Sequence, residues 1–256
     1  SWKQNGILVL LVATTTLAYL SVGAYQAGLE RLIPGIDAES LVVQQSHTTG
    51  EIAGSRIPAS LETELAAQGL EPVVPEIHAV VGTSAEDAVL LRGIDPRRFH
   101  LALSFELLEG QLLQPGEAQR QALVGWRLAE RRSLTPGAQV SLRGRSFQVS
   151  GIFRTGTYAD NEAWISLADA QTLLGWGDEV SIFIVPNGGS LQPGTDLPGG
   201  ISVARRGEGL QNDVRRLSPV LGLIADILQL TGWATACALA VSLLRLAWLR
   251  RRQTAI

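Results

Sequence analysis

Cysteine occurs once in these 256 residues, at Cys237, so the chain holds no internal disulfide and no cysteine-based metal site. That cysteine stands in an apolar run, where a buried, inert thiol is expected. Methionine is absent altogether, and Ser1 reads as a processed start or as one internal to a longer sequence. The histidines number three, His47, His78 and His100; none falls in a ligand-spaced pair, and each reads as structural. An excess of positive charge is missing too. The net charge of −3 argues against nucleic-acid partners, whose affinity comes chiefly from phosphate neutralisation. No glycine-rich phosphate loop of the dinucleotide or P-loop kind is present. Ser150, Ser166 and Ser181 lie in no nucleophile elbow. Asp160, Glu162, Asp178 and Glu179 are acid–base candidates, but carboxylates so close to turns read as solvated. No catalytic residue, cofactor or metal is therefore expected, and the chain does not read as an enzyme.

What is there is concentrated hydrophobicity. Ile7–Leu29 carries no charge and is long enough to cross a bilayer as a helix; the small-residue triplet Val22–Ala24 leaves a cleaved signal peptide as the other reading. Ile227–Leu249 is the second run, with one charge, Arg245, near enough to its end to reach the interface. Lys3 precedes the first run, and Arg250, Arg251 and Arg252 follow the second. Basic flanks stay inside, so both termini are expected in the cytoplasm of a bacterial inner-membrane protein, with Trp2 and Trp248 at the same headgroup level. Gly232, Ala236 and Ala240 form a ridge of small residues at four-residue spacing, which lets a helix pack closely: either the other span or a partner subunit.

Between the runs the pattern is mixed. Leu41–Ser46 reads as a strand, and Pro58–Gln68 as a helix stopped by Gly69. Val73–Val74, Ile77–Val81 and Ala88–Arg92 read as strands, the last ending in a turn at Gly93 and Asp95–Pro96. A short basic helix is expected over Trp126–Arg132, a turn at Thr135–Gly137, and a hairpin from Val140–Leu142 to Phe147–Phe153 through Arg143–Gly144. Ser166 with Asp169 resembles a capping box opening a helix over Leu167–Leu174, which stops at Gly175. An alternating strand over Val180–Val185, a Gly/Pro-rich loop over Pro186–Gly200 and a strand over Ile201–Ala204 complete the middle. The segment from Arg205 to Leu217 reads as a helix. Strands and helices alternate without a regular βαβ beat, so the class is α+β.

The order of these segments, "IPASLETELAAQGLEPVVP", "LLRGIDPRRF", "LLEGQLL", "ALVGWRLAERRSLTPGAQVSLRGRSFQVSGIF", "WISLADAQTLLG" and "EVSIFIV", resembles the periplasmic core domain of MacB/FtsX-type ABC permeases over about Gly6–Val185. The resemblance implies an α+β periplasmic domain over 30–219, between a membrane helix in 1–29 and another in 220–256. It also implies a mechanical role, in which ATP hydrolysis inside the cell moves the domain outside. Arg97 and Arg98, after the "GIDP" turn, are then candidate partner contacts. Members of that family continue with a coupling segment and two more membrane helices, whereas this sequence stops seven residues after Leu249. The first expectation is accordingly a non-catalytic accessory subunit of a larger membrane complex, respiratory or photosynthetic. The second is a permease component working with an ABC ATPase and a further permease chain.

Overall fold

The computed structural model describes residues 10, 13–24, 27, 40–48, 54–82, 88–116, 119–188, 190–208, 223–224, 226–234, 236–238, 240–241 and 243–244. The chain divides into two compact units, Leu32–Asn212 and a terminal unit of Ser1–Arg31 with Asp213–Ile256.

In the middle unit an 11-stranded mixed sheet runs in the order β12-β13-β1-β11-β3-β4-β9-β6-β8-β5, with β7 also paired to β8. Its central strands are β1 (Leu41–Gln45), β11 (Ile182–Val185), β3 (Val74–Val81), β4 (Val89–Ile94), β9 (Glu162–Ser166) and β6 (Gln121–Gly125). Farther out lie β8 (Arg145–Arg154), β7 (Gln139–Leu142) and β5 (Glu106–Gly110) on one side. On the other are β13 (Ile201–Arg205) and β12 (Asp196–Leu197). β4 pairs with β9 in parallel, as does β6 with β8, and the other pairs are antiparallel. A separate bridge joins β2 (Ile57–Pro58) to β10 (Glu179–Val180). The class is α+β, as expected.

One face of the sheet is apolar throughout. Ile77, Val81, Leu91, Val124, Ala163 and Ile165 form a continuous core with side chains from three short helices: α1 (Leu61–Ala67), α2 (Trp126–Arg132) and α3 (Leu167–Leu174). α1 contributes Leu61 and Leu65, α2 Leu128 and Ala129, and α3 Ala170 and Leu173. The local signals act as their chemistry requires. The Ser166 hydroxyl accepts the Asp169 N–H at 3.1 Å, and Gly175, at φ +70°, ends α3. Arg143 and Gly144 both have positive φ, the conformation a two-residue hairpin of matching twist needs.

Four expectations are corrected. Gly93 does not turn the chain: it lies inside β4, and a Cβ there would meet the Ala170 Cβ at 2.6 Å and that of Ile77 at 3.1 Å. The glycine lets α3 approach the sheet, and the turn itself begins at Asp95, whose carbonyl accepts from the N–H groups of Arg98 and Phe99. Val74–Val81 is one strand and not two, because Pro75 falls where β4 has already ended opposite Glu76, so its missing N–H leaves no gap in that ladder. Val180–Val185 breaks at Ser181 and is buried on both faces instead of alternating. Pro186–Gly200 is not all loop, since it contains β12.

In the terminal unit, residues 13–24 and 226–234 are helical, and among the described residues no helix is long and apolar enough to cross a membrane. Cys237 is exposed there and not buried as expected. A Cβ on Gly232 would lie 3.5 Å from the Thr15 hydroxyl oxygen. Trp2, Lys3, Trp248, Arg250, Arg251, Arg252 and most of the helix expected over Arg205–Leu217 lie outside the described residues.

Candidate functional site

The second face of the sheet is where chemistry collects. The register sets His78 of β3 opposite Arg92 of β4, and Arg92 opposite Trp164 of β9. Side chains two apart on a strand share a face. Glu76 therefore stands diagonal to Arg92 on one side, opposite Ile94, and Glu162 diagonal on the other, opposite Leu90.

All five side chains are buried. The Arg92 guanidinium donates from Nε to Glu162 Oε2 at 2.7 Å and from Nη2 to Glu162 Oε1 at 3.0 Å, a forked pair. From Nη1 it donates to Glu76 Oε2 at 2.7 Å, and Nη2 also reaches the Tyr158 hydroxyl at 3.4 Å. His78 Nε2 lies 2.8 Å from Glu76 Oε2, and the Trp164 indole N–H donates to Glu162 Oε2 at 2.7 Å. Glu76 Oε1 is left without a hydrogen-bond partner.

The charges set the protonation states. Burial pushes the Glu76 carboxyl up, but Arg92 and His78 more than offset this and hold it at about 2. Burial opposes the charged form of Arg92 as well, and Glu162 and Glu76 override it, raising its pKa further. An arginine between two carboxylates is a fixed, fully ionised node. It is neither a proton donor nor a nucleophile.

Aromatic packing flanks the node. The ring of Trp164 stacks on Phe153 with centroids 3.8 Å apart, and Phe105 packs edge-on to both at 5.6 and 6.3 Å. Beside it a cavity of about 290 Å³ opens between Arg92 and Trp164 on the sheet and the segments at 100–104, 155–159 and 206–207. Its ionisable lining residues besides Tyr158 are Arg92, Arg206 and His100, all basic.

The residues singled out in the sequence fare differently. Asp160 and Glu162 are not solvated. Asp160 is buried and accepts from the Trp126 indole at 2.8 Å and from Thr155 N–H at 2.6 Å, which shapes the loop and uses up the carboxylate. Ser181 stands in for a broken ladder, accepting the His78 N–H at 2.8 Å. Arg97 is exposed, whereas Arg98 is held by Asp95 and Glu62 and donates to the Val73 carbonyl at 3.1 Å. Sequence reasoning passed over Glu76 and Arg92. The visible signal was a charge in each of two mostly apolar strands, Glu76 with His78 in Val74–Val81 and Arg92 in Val89–Ile94. Among the described residues no group of histidine, cysteine or carboxylate side chains is disposed to hold a metal.

Residues 6–197 match the model of the MacB-like periplasmic core domain. The chain belongs to that family. Among solved structures it is similar to the periplasmic region of MacB from Actinobacillus actinomycetemcomitans. The identity is 14%, 73% of this chain and 98% of that one are covered, and the TM-score is 0.50, a likeness of fold. A permease-protein domain from Porphyromonas gingivalis also matches, at 13% identity over 67% of this chain and 89% of that one, with a TM-score of 0.42. No curated protein matches. The MacB-like core domain is not in itself a catalytic domain. The buried node of Glu76, Arg92 and Glu162 lies within the residues that match the MacB-like core domain.

Proposed function

We propose that the chain is a non-catalytic, two-span subunit of the ABC-permease type, whose MacB-like domain moves outside the cytoplasm in response to its membrane helices. One observation carries the mechanical part of this reading. β1, the first described strand of the middle unit, pairs with β13, the last, in a register that sets Leu41 opposite Arg205. The first and last described strands of the middle unit are thus hydrogen-bonded neighbours, their Cα atoms about 5 Å apart. β1 pairs on its other side with β11, which leads into the centre of the sheet. Relative displacement of the two flanking segments acts directly on this ladder.

The spans are Ile7–Leu29 and Ile227–Leu249, supported by their apolar sequence, uncharged but for Arg245 near the end of the second, and by the exposed Leu17, Leu20, Leu230 and Leu244 of the described helical residues. Lys3 and Arg250–Arg252 keep both ends inside, so that the middle domain faces the periplasm. The partners under this reading are an ABC ATPase and further permease helices, reached through the ridge of Gly232, Ala236 and Ala240. Gentle purification of the full chain from its native membrane tests it. Co-purification of an ABC ATPase is the expected result. A stable membrane complex without an ATPase would replace the reading with that of an accessory subunit.

A further inference from the structure

The cavity next to the buried node has a wall that the relay of movement does not call for. Its cationic residues come from three separate places: Arg92 from β4, His100 from the turn after it, and Arg206 just beyond β13. Among the described residues the lining contains no carboxylate. Glu76 and Glu162 lie behind Arg92 and hold its planar fork in one orientation, so the guanidinium at the cavity is fixed before any ligand arrives.

Arg92 has five N–H groups, and the contacts above engage four of them. The fifth, on Nη1, has no acceptor among the described residues, although the side chain is only 4% exposed. A buried donor of this kind calls for an acceptor. Arg206 gives one N–H to the Ala102 carbonyl, which anchors it at the cavity, and basic groups brought to one cavity from separate segments suit the several oxygens of a phosphate. The volume is near the lower end for small-molecule sites and too small for a folded partner. Leu101, Leu103 and Ala159 supply an apolar side for the carbon part of an ester.

We propose that this cavity binds a phosphate group, carried either by a free phosphate or by the headgroup of an anionic lipid. Arg92, Arg206 and His100 are the recognition residues. Bound there, the group joins the segment that leaves β13 to the loop 155–159 and to β4. This site does not depend on the permease reading, because it rests on the cavity alone.

The test is calorimetric titration of the full chain in maltoside micelles with inorganic phosphate. Saturable binding below about 10 mM is expected, since a few charge-assisted hydrogen bonds supply that much. Arg206→Gln should weaken it about tenfold or more, and His100→Asn, at an exposed position that leaves the node intact, several-fold. Doping the micelles with phosphatidylglycerol separates the sources. Competition with phosphate assigns the site to a lipid headgroup, and unchanged affinity assigns it to a free phosphate. Absence of saturable binding by the wild-type chain, or affinity unchanged in both variants, overturns the proposal.

Discussion

Replacing Arg92 with methionine keeps most of the side-chain volume and removes the charge that two buried carboxylates share. Glu76 would retain only His78, and Glu162 only the Trp164 indole and whatever water can reach it. Removing one partner of a buried ion pair costs about 3–5 kcal/mol, chiefly because the remaining charge stays desolvated. The middle unit, Leu32–Asn212, falls in the size range where 1 kcal/mol moves the melting temperature by about 2–4 °C, so Arg92→Met should lower Tm by about 10 °C. Neutralising all three groups together, as Glu76→Gln, Arg92→Met and Glu162→Gln, should recover most of that loss, since no charge is then left buried. Tryptophan fluorescence during denaturation in micelles reads both, with Trp164 inside the affected face. A single variant as stable as the triple variant, or within about 1 kcal/mol of wild type, would refute the reasoning.

The same network fixes the direction of the acid response. In the folded chain Glu76 is held at about 2, against an ordinary value of 4.5, so its contribution is complete above pH 4.5 and is lost as the pH falls from there towards 2. The difference corresponds to roughly 3 kcal/mol. In Arg92→Met the effect of burial on Glu76 is no longer opposed by the guanidinium, so the acid-side loss that Glu76 causes in the wild-type chain should shrink or reverse.

Other consequences can be measured separately. Gly93→Ala should cost about 1–3 kcal/mol, because the new methyl meets Ala170 and Ile77, and Ala170→Gly should restore part of it. Gly125→Ala places a Cβ 2.4 Å from the Asp160 carbonyl oxygen, which is backbone and cannot swing aside; a loss of at least about 1–3 kcal/mol is expected in the same denaturation assay. Cysteines at Ser190 and Thr254, in a Cys237→Ser background on intact spheroplasts, should react with an impermeant thiol reagent at Ser190 only; the reverse pattern overturns the topology. Gly232→Leu, next to Thr15, should weaken association through the second helix, and unchanged co-purification of its partners would place that ridge against lipid.

Much of the fold was legible because its signals are local. The hairpin at Arg143–Gly144, the cap at Ser166 and the stops at Gly69 and Gly175 each depend on residues within a few positions of one another, and the structure places them as read. Gly93 was misread because a glycine beside Asp95–Pro96 has the composition of a turn. Its actual cause, the approach of Ala170, lies 77 residues away and leaves no local mark. The node was hidden for the same reason. Arg92 meets its carboxylates across 16 and 70 residues of sequence. Asp160 and Glu162 looked solvated beside a turn because nothing nearby announces that the strand they lead into is central in the sheet.

A charge within a strand that is mostly apolar was the readable clue, and it also explains what the node contributes. The two faces of this sheet differ in kind: one packs on three helices, the other holds the ionised groups. Because side chains alternate with period two, sliding β4 by one residue against β3 and β9 would turn Arg92 into the helix-covered core and leave Glu76 and Glu162 unpaired on the far side. An apolar face alone tolerates such a slip poorly. A buried triad forbids it, because three charges would lose their partners at once. β4 is also one of the strands with an antiparallel neighbour on one side, β3, and a parallel one on the other, β9, and no hairpin turn sets the register on the β9 side. The forked pair between Arg92 and Glu162 spans that junction and supplies the register that the chain connection does not.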